Sequence, residues 1–150
     1  MQAANLLKSL GIEYTPLTEE QILAHKKEWI HRLLPLEKHE KAVEIYCIPK
    51  EDGYSDYLWH AFSFELLEGL CGDAARQGFN NICRGEAILL SNWDDAGYHI
   101  PDTSALTADE LEKIADIVLT STDFQWTYAK THESDLGPYL FKIERTKRAN

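Results

Sequence analysis

The 150-residue sequence lacks the features that would place it among secreted, membrane or zinc-binding proteins. Its three cysteines are an odd set without C-x-x-C spacing, which argues against a disulfide framework and a structural zinc site. No apolar run is long enough to cross a membrane, and the amino terminus has no cleavage site typical of a secretory signal. We therefore expect a cytoplasmic protein in which Cys47, Cys71 and Cys83 are buried, reduced thiols.

Basic residues are also scarce, with 15 Lys and Arg against 25 Asp and Glu and a formal net charge of -10. The mean electrostatic field of such a chain repels the phosphates of nucleic acids and anionic lipids. We therefore expect neither nucleic acid nor a membrane as a partner. The short basic run at 145–148 is typical of a solvated chain end, and we assign it no role.

What the sequence does contain is enough apolar material for one core. Hydrophobic residues make up 44% and charged residues 27%, as in ordinary globular proteins. Chains of this length usually form one domain, and no repeat, low-complexity tract or linker marks a boundary. We predict a single globular α+β domain over residues 1–150.

Two helices are predicted from capping boxes, in which two side chains satisfy the free backbone N–H groups of a helix start. Thr18 with Gln21 begins an apolar helical periodicity that continues to Pro35. Thr107 with Glu110 predicts a short helix over 107–116. A third helix is predicted over residues 1–10, followed by a short extended segment at 12–17.

Stretches rich in β-branched and aromatic residues predict five strands, at 43–48, 58–64, 87–93, 124–132 and 139–143. Asp52 and Gly53 form a turn signal that makes the first two strands antiparallel. The residues over 58–70 also match helical spacing, although we favour a strand there. Acidic residues around Gly97 predict a turn. Together these elements predict an α+β fold: an antiparallel sheet of about five strands with helices packed mainly on one face.

The stretch 124–132 carries the side chains most typical of a binding site. If it is one continuous strand, one of its faces bears Phe124, Trp126, Tyr128, Lys130 and His132. One interpretation places the aromatic side chains in the core, with the lysine and the histidine at the sheet rim. The other makes the same side chains the floor of a pocket.

His60 raises the same question, because on a strand it would point into the core beside Phe62 and Phe64. A buried histidine needs a partner, and a structural partner such as a backbone carbonyl is one interpretation. If His60 and His132 converged near a carboxylate, acid–base chemistry would become possible. The candidate binding residues are therefore His60, Trp126, Tyr128, Lys130, His132 and Glu133.

Signatures of well-known catalytic sites are missing from the sequence. It has no G-x-S-x-G motif and no glycine-rich phosphate loop, and His132–Glu133 lacks the second histidine of a zinc-protease helix. The acidic residues around Gly97 do not have the spacing of a calcium loop. We expect no catalytic residues, no metal site and no cofactor.

Several segments carry a resemblance to a known family. They read W-H-A-F-S-F-E at 59–65, F-N at 79–80, F-Q-W-T-Y-A-K-T-H-E at 124–133 and G-P-Y at 137–139. In these segments the chain resembles the small bacterial proteins of domain-of-unknown-function family 4275, from the region after Pro35 to Tyr139. Where relatives read C-G-P-Y-F, this chain has Leu136 and Leu140 at the first and last positions. The resemblance implies a small stand-alone cytoplasmic protein, and it implies no activity.

Two functions of different classes are therefore considered. The first is a non-catalytic protein-binding domain that occludes a basic partner, in the manner of immunity proteins and antitoxins; it rests on size, charge and the missing signatures. The second is a small-ligand domain or enzyme whose pocket contains His60, Trp126, Tyr128, Lys130 and His132. In the second, a histidine acts as the base and Lys130 binds an anionic group.

Overall fold

A computed structural model of the protein describes residues 2–33, 69–82, 84–91, 96–114, 116–131 and 137–143. The described residues form four helices: α1 (Ala3–Ser9), α2 (Glu19–Leu33), α3 (Asp73–Ile82) and α4 (Ala108–Leu111). Its strands are β1 (Thr15–Pro16), β2 (Leu70–Cys71), β3 (Ala87–Ser91), β4 (Ala96–Ile100), β5 (Ile117–Ser121), β6 (Trp126–Lys130) and β7 (Tyr139–Lys142).

The strands form one antiparallel sheet in the order β1-β4-β3-β5-β6-β7-β2. This confirms the α+β class and the antiparallel sheet. The predicted count of about five strands is wrong, since the sheet has seven. The predicted strands at 43–48 and 58–64, and the turn at Asp52–Gly53, lie outside the described residues.

The two capping boxes correctly predicted where α2 and α4 begin. Thr18 N donates to Gln21 Oε1 at 2.8 Å and Gln21 N donates to Thr18 Oγ1 at 3.1 Å, which completes the first box. At α4, Glu110 N donates to Thr107 Oγ1 at 3.2 Å. That helix ends at Leu111 rather than at 116, because turns follow it and Asp116 adopts a left-handed φ of 54°.

Strands β4 and β5 were missed because their residues do not show a simple alternation, and β2 lies beyond the predicted strand at 58–64. β5 is buried at all five positions, as a central strand covered on both faces is, so no exposed residue marks one side of it, and even its polar Thr120 and Ser121 are buried. β4 includes Gly97, where we had predicted a turn. The glycine is needed in the strand because a Cβ there would lie 2.8 Å from Ile22 Cγ1 of α2.

The main core lies between one face of the sheet and the helices α1, α3 and α4. Buried residues of these helices include Leu6, Phe79 and Leu111, and they join Leu89, Ile117 and other sheet residues in one apolar cluster. Alternate residues of each strand point to this side, which we call the α3 face. α2 packs on the opposite side, the α2 face, where Ile22 contacts Gly97. Three of the four described helices therefore share one face.

Two further expectations concern the surface. Cys71 is a free cysteine, but it is exposed rather than buried, because β2 is an edge strand. In the described part of the chain, no helix is both long and apolar enough to cross a membrane.

Candidate functional site

The side chains of β6 lie under α3, on the α3 face. Trp126 and Tyr128 belong to the buried core cluster. The Phe79 ring stacks on the Tyr128 ring, with centroids 4.3 Å apart, and meets the Trp126 ring edge-on at 5.8 Å. Aromatic pairs at these separations stabilise a core beyond the area they bury.

Phe124 does not share this face, contrary to the prediction of a continuous strand over 124–132. Its backbone has a left-handed φ of 57°, and its N–H donates to Ser121 O at 2.8 Å, which closes a turn before β6 begins. The turn directs the Phe124 ring to α2 on the other side of the sheet, where it meets His25 and Arg32.

The Tyr128 hydroxyl is the most unusual polar atom of the α3 face. It is fully buried and has no hydrogen-bond partner among the described residues. Burial raises the pKa of the phenol, and the negative charge of Glu112 raises it further, while Arg76 opposes both. Buried hydroxyls are nearly always hydrogen-bonded, so this atom is a candidate contact for a ligand.

Lys130 lies two residues further along β6 on the same face and is half-buried. Its Nζ donates to the backbone carbonyl of Ile114. Burial lowers the pKa of the ammonium group, and Glu112 and Asp116 oppose that change through their negative charge. A lysine held in this way has a positive charge in a partly dry place, which suits binding of an anionic group.

Arg76 of α3 completes the polar group around these two residues. Its Nη1 donates to Asp73 Oδ1 at 2.7 Å, and its Nε donates to Glu112 Oε2 at 3.3 Å. We call Arg76, Glu112, Tyr128 and Lys130 the Tyr128 cluster. Its charged side chains, two cations and one carboxylate, each bond a described group, and only the tyrosine hydroxyl lacks such a bond.

A second polar site lies on the α2 face, where the Phe124 ring packs between two side chains of α2. The ring centroid is 5.3 Å from the His25 ring and 5.2 Å from Arg32 Cζ. Burial lowers the pKa of His25 to about 4, although Glu28 acts in the opposite direction. The histidine is therefore neutral at pH 7.

Beside Phe124 a cleft of about 500 Å³ opens between α2 and the start of β6. We call it the α2 cleft. Its lining residues are Glu28, His31, Arg32, Asp123, Phe124, Gln125 and Ile143. Arg32 Nε donates to Glu28 Oε2 at 2.6 Å within it. The cleft therefore holds charged groups of both signs beside an aromatic ring.

A third polar group joins strands β3, β4 and β5 at the surface. One oxygen of the Glu86 carboxylate contacts His99 Nε2 at 2.5 Å, and the other accepts a hydrogen bond from Thr122 at 3.1 Å. These bonds lower the pKa of the Glu86 carboxyl. In the described residues, no group of three or more His, Cys, Asp or Glu could hold a metal ion.

Comparison with known protein families identifies the chain. A family model described as Domain of unknown function (DUF4275) matches residues 1–140. The chain belongs to the DUF4275 family. Comparison with curated proteins and with solved structures gives no match. The family match begins at residue 1, whereas the motif resemblance began only after Pro35.

The DUF4275 description names no activity, so geometry must guide the choice of site. Of the six candidate residues, the structure brings Tyr128 and Lys130 together in the Tyr128 cluster and places Trp126 in the core. His60, His132 and Glu133 lie outside the described residues, and their convergence stays a prediction. Sequence reasoning missed Arg76, Glu112 and Arg32. The i,i+3 pair of Asp73 and Arg76 would have been a signal, had α3 been predicted.

Proposed function

We propose that this DUF4275 protein is a non-catalytic binding domain that occludes a basic protein partner. The observation that carries the proposal is the excess of negative charge, -10 over the chain. Residues 34–68 alone contain eight acidic and three basic residues. A strongly acidic surface attracts a basic partner over several ångströms and increases the rate of encounter.

The described surface offers one place where such a partner could dock. Carboxylates at the start of α3 and around α4 form what we call the acidic patch: Asp73, Asp109 and Glu112, which are exposed, and Glu110, which is partly buried and bonded to Lys113. The Asp73 side chain is 90% exposed. Arg76 bonds both Asp73 and Glu112, so the spacing of these two carboxylates suits a guanidinium group.

Native mass spectrometry of the protein, recovered gently from its own cytoplasm, tests the proposal. A basic protein bound in fixed stoichiometry is the expected result, and its association rate should fall steeply as salt is raised. The double variant Asp73→Asn with Glu112→Gln should slow association further. The matched control, Glu19→Gln with Glu20→Gln, removes the same charge from the first turn of α2.

One result would contradict the proposal of a basic partner. If the association rate of the partner changed neither with salt nor with substitution of the acidic patch, the electrostatic argument would fail. Melting temperatures of both double variants should be measured first, since loss of acidic residues at a helix start can lower stability.

A second candidate function is supported by the Tyr128 hydroxyl. Its burial without a partner among the described residues suits a pocket that binds a small anionic ligand beside Lys130. The wider pocket would include Trp126, His60 and His132, with a histidine as the base. In this case His132→Ala should abolish ligand binding and leave the melting temperature nearly unchanged; a large loss of stability would instead make His132 structural. A bound small molecule in the native mass spectrum would favour this function over the first.

A further inference from the structure

We infer that the α2 cleft binds a small zwitterion that carries a carboxylate and an ammonium group, such as a free α-amino acid. The cleft is independent of the acidic patch and the Tyr128 cluster, because it lies on the other face of the sheet. Its volume of about 500 Å³ is within the range of small-molecule sites in proteins.

Arg32 provides the carboxylate-binding half of the site. Its Nε is held by Glu28 at 2.6 Å, and its guanidinium lies over the Phe124 ring, 5.2 Å from the centroid. Among the described residues, it makes no other hydrogen bond. Both terminal amino groups are therefore available side by side, which is the arrangement that binds a carboxylate through two parallel hydrogen bonds.

The position of Phe124 explains why the guanidinium is fixed. His25 and Arg32 are seven residues apart on α2, so their backbone positions are about 10.5 Å apart along the helix axis. The Phe124 ring is 5.3 Å from one side chain and 5.2 Å from the other, and it therefore lies between them. With its Cζ over the ring and its Nε bonded to Glu28, Arg32 is restrained before a ligand arrives, which lowers the entropy cost of binding.

Asp123 provides the ammonium-binding half. Its carboxylate is exposed on the wall of the same cleft, and its Oδ1 accepts a hydrogen bond from Gln125 N at 3.2 Å. A ligand with only a negative charge would be repelled by Asp123 and Glu28, and one with only a positive charge would leave the two terminal amino groups of Arg32 without a carboxylate partner. Opposite charges in one small cleft therefore favour a ligand that carries both. The Ile143 side chain, 43% exposed, adds an apolar surface for the rest of the ligand.

Three probes that share the leucine side chain separate the two halves of the site: L-leucine, L-leucinamide without the carboxylate, and N-acetyl-L-leucine without the ammonium group. Binding is measured by calorimetry and by amide NMR shifts, with the backbone N–H of Gln125 as a local reporter. L-leucine should bind at least about tenfold more tightly than either analogue, because each analogue lacks one of the two charged groups and therefore loses one charged pair.

Variants then assign each half to a residue. Arg32→Gln should weaken L-leucine binding by about tenfold or more. Asp123→Asn keeps an acceptor for Gln125 N but removes the charge, and N-acetyl-L-leucine should then bind at least as well as L-leucine. Arg84→Gln, an exposed arginine outside the cleft, is the matched control and should leave binding unchanged.

Other results would overturn the inference. They are no binding of L-leucine at millimolar concentration, equal binding of all three probes, or undiminished binding to the Arg32→Gln variant. A thermal melt of each variant ensures that a lost signal is not a lost fold. The basic-partner proposal would stand in each of these cases, because it involves the other face of the protein.

Discussion

Trp29 of α2 donates a buried hydrogen bond from its indole Nε1 to Thr127 Oγ1 of β6, at 3.1 Å. The Thr127 hydroxyl also lies 2.8 Å from the Thr120 hydroxyl on β5. All three residues are fully buried. This chain of hydrogen bonds fixes α2 on the sheet, and with it the side chains that form the α2 cleft.

Replacing Thr127 tests the importance of this chain. Thr127→Val keeps the shape but leaves the Trp29 indole N–H without its acceptor. The free energy of unfolding should fall by about 1–3 kcal/mol, the usual cost of a buried polar group that loses its partner. Thr127→Ser, which keeps the hydroxyl, is the control for urea unfolding. A loss for Val no larger than the loss for Ser would show that packing, rather than the hydrogen bond, holds α2 in place.

Ile22 of α2 packs closely over Gly97 of β4. In Gly97→Ala the new Cβ would lie 2.8 Å from Ile22 Cγ1, so the helix must shift. We expect a loss of about 1–3 kcal/mol in the free energy of unfolding, as in other overpacked cores. Ile22→Ala removes the atoms that clash. The loss from Gly97→Ala should therefore be much smaller in an Ile22→Ala background, and equal losses in both backgrounds would contradict the contact.

His25 should make stability depend on pH. Its pKa is lowered from 6.5 to about 4 in the folded protein, with burial as the main cause. Between these values the unfolded chain binds a proton that the folded protein does not. Stability is therefore complete above about pH 6.5, falls as the pH drops towards 4, and loses nothing more from this group below that. The loss is up to about 3 kcal/mol.

Urea unfolding at pH 7, 5.5 and 4.5 measures this dependence. His25→Gln cannot titrate, so its stability should change less over this range than that of the unchanged protein. His31→Gln, an exposed residue of the same helix, should keep the original dependence. Identical profiles for the unchanged protein and His25→Gln would show that His25 is not buried in its neutral form.

Tyr128→Phe separates the hydroxyl of the Tyr128 cluster from its ring. The substitution removes no hydrogen bond to a described group, so the free energy of unfolding should stay constant or rise by about 1 kcal/mol. Tyr128→Leu also loses the stacked contact with Phe79 and should be clearly less stable. A substantial loss of stability in Tyr128→Phe would mean that the hydroxyl has a structural partner.

Features that depend on residues close together along the chain were predicted better than features that depend on distant residues. Thr18 and Gln21 are three residues apart, and their reciprocal bonds were predicted correctly because both partners are visible in one short segment. The strand at β3 was also predicted correctly over Ala87–Ser91, and the last two predicted residues, 92 and 93, lie outside the described residues. The left-handed Phe124 was not, since alternation alone indicated that β6 should begin two residues earlier.

The candidate site was predicted in part for the same reason. Tyr128 and Lys130 share a face because they are two residues apart on a strand, and sequence suffices for that. Arg76 and Glu112 meet across 36 residues, and no local pattern links them. The cleft requires Arg32 of α2 to lie beside Phe124, which is far along the chain in the turn between β5 and β6.

The sequence by itself determined the family, the net charge, the starts of α2 and α4 and the α+β class, because each depends on composition or on neighbours along the chain. Only the tertiary structure decided the seven-strand order, the strand at Gly97 and the pairing of Arg32 with Phe124. These depend on which surfaces pack together, and α2 must lie on the sheet before Gly97 can receive Ile22 or Phe124 can fit between His25 and Arg32.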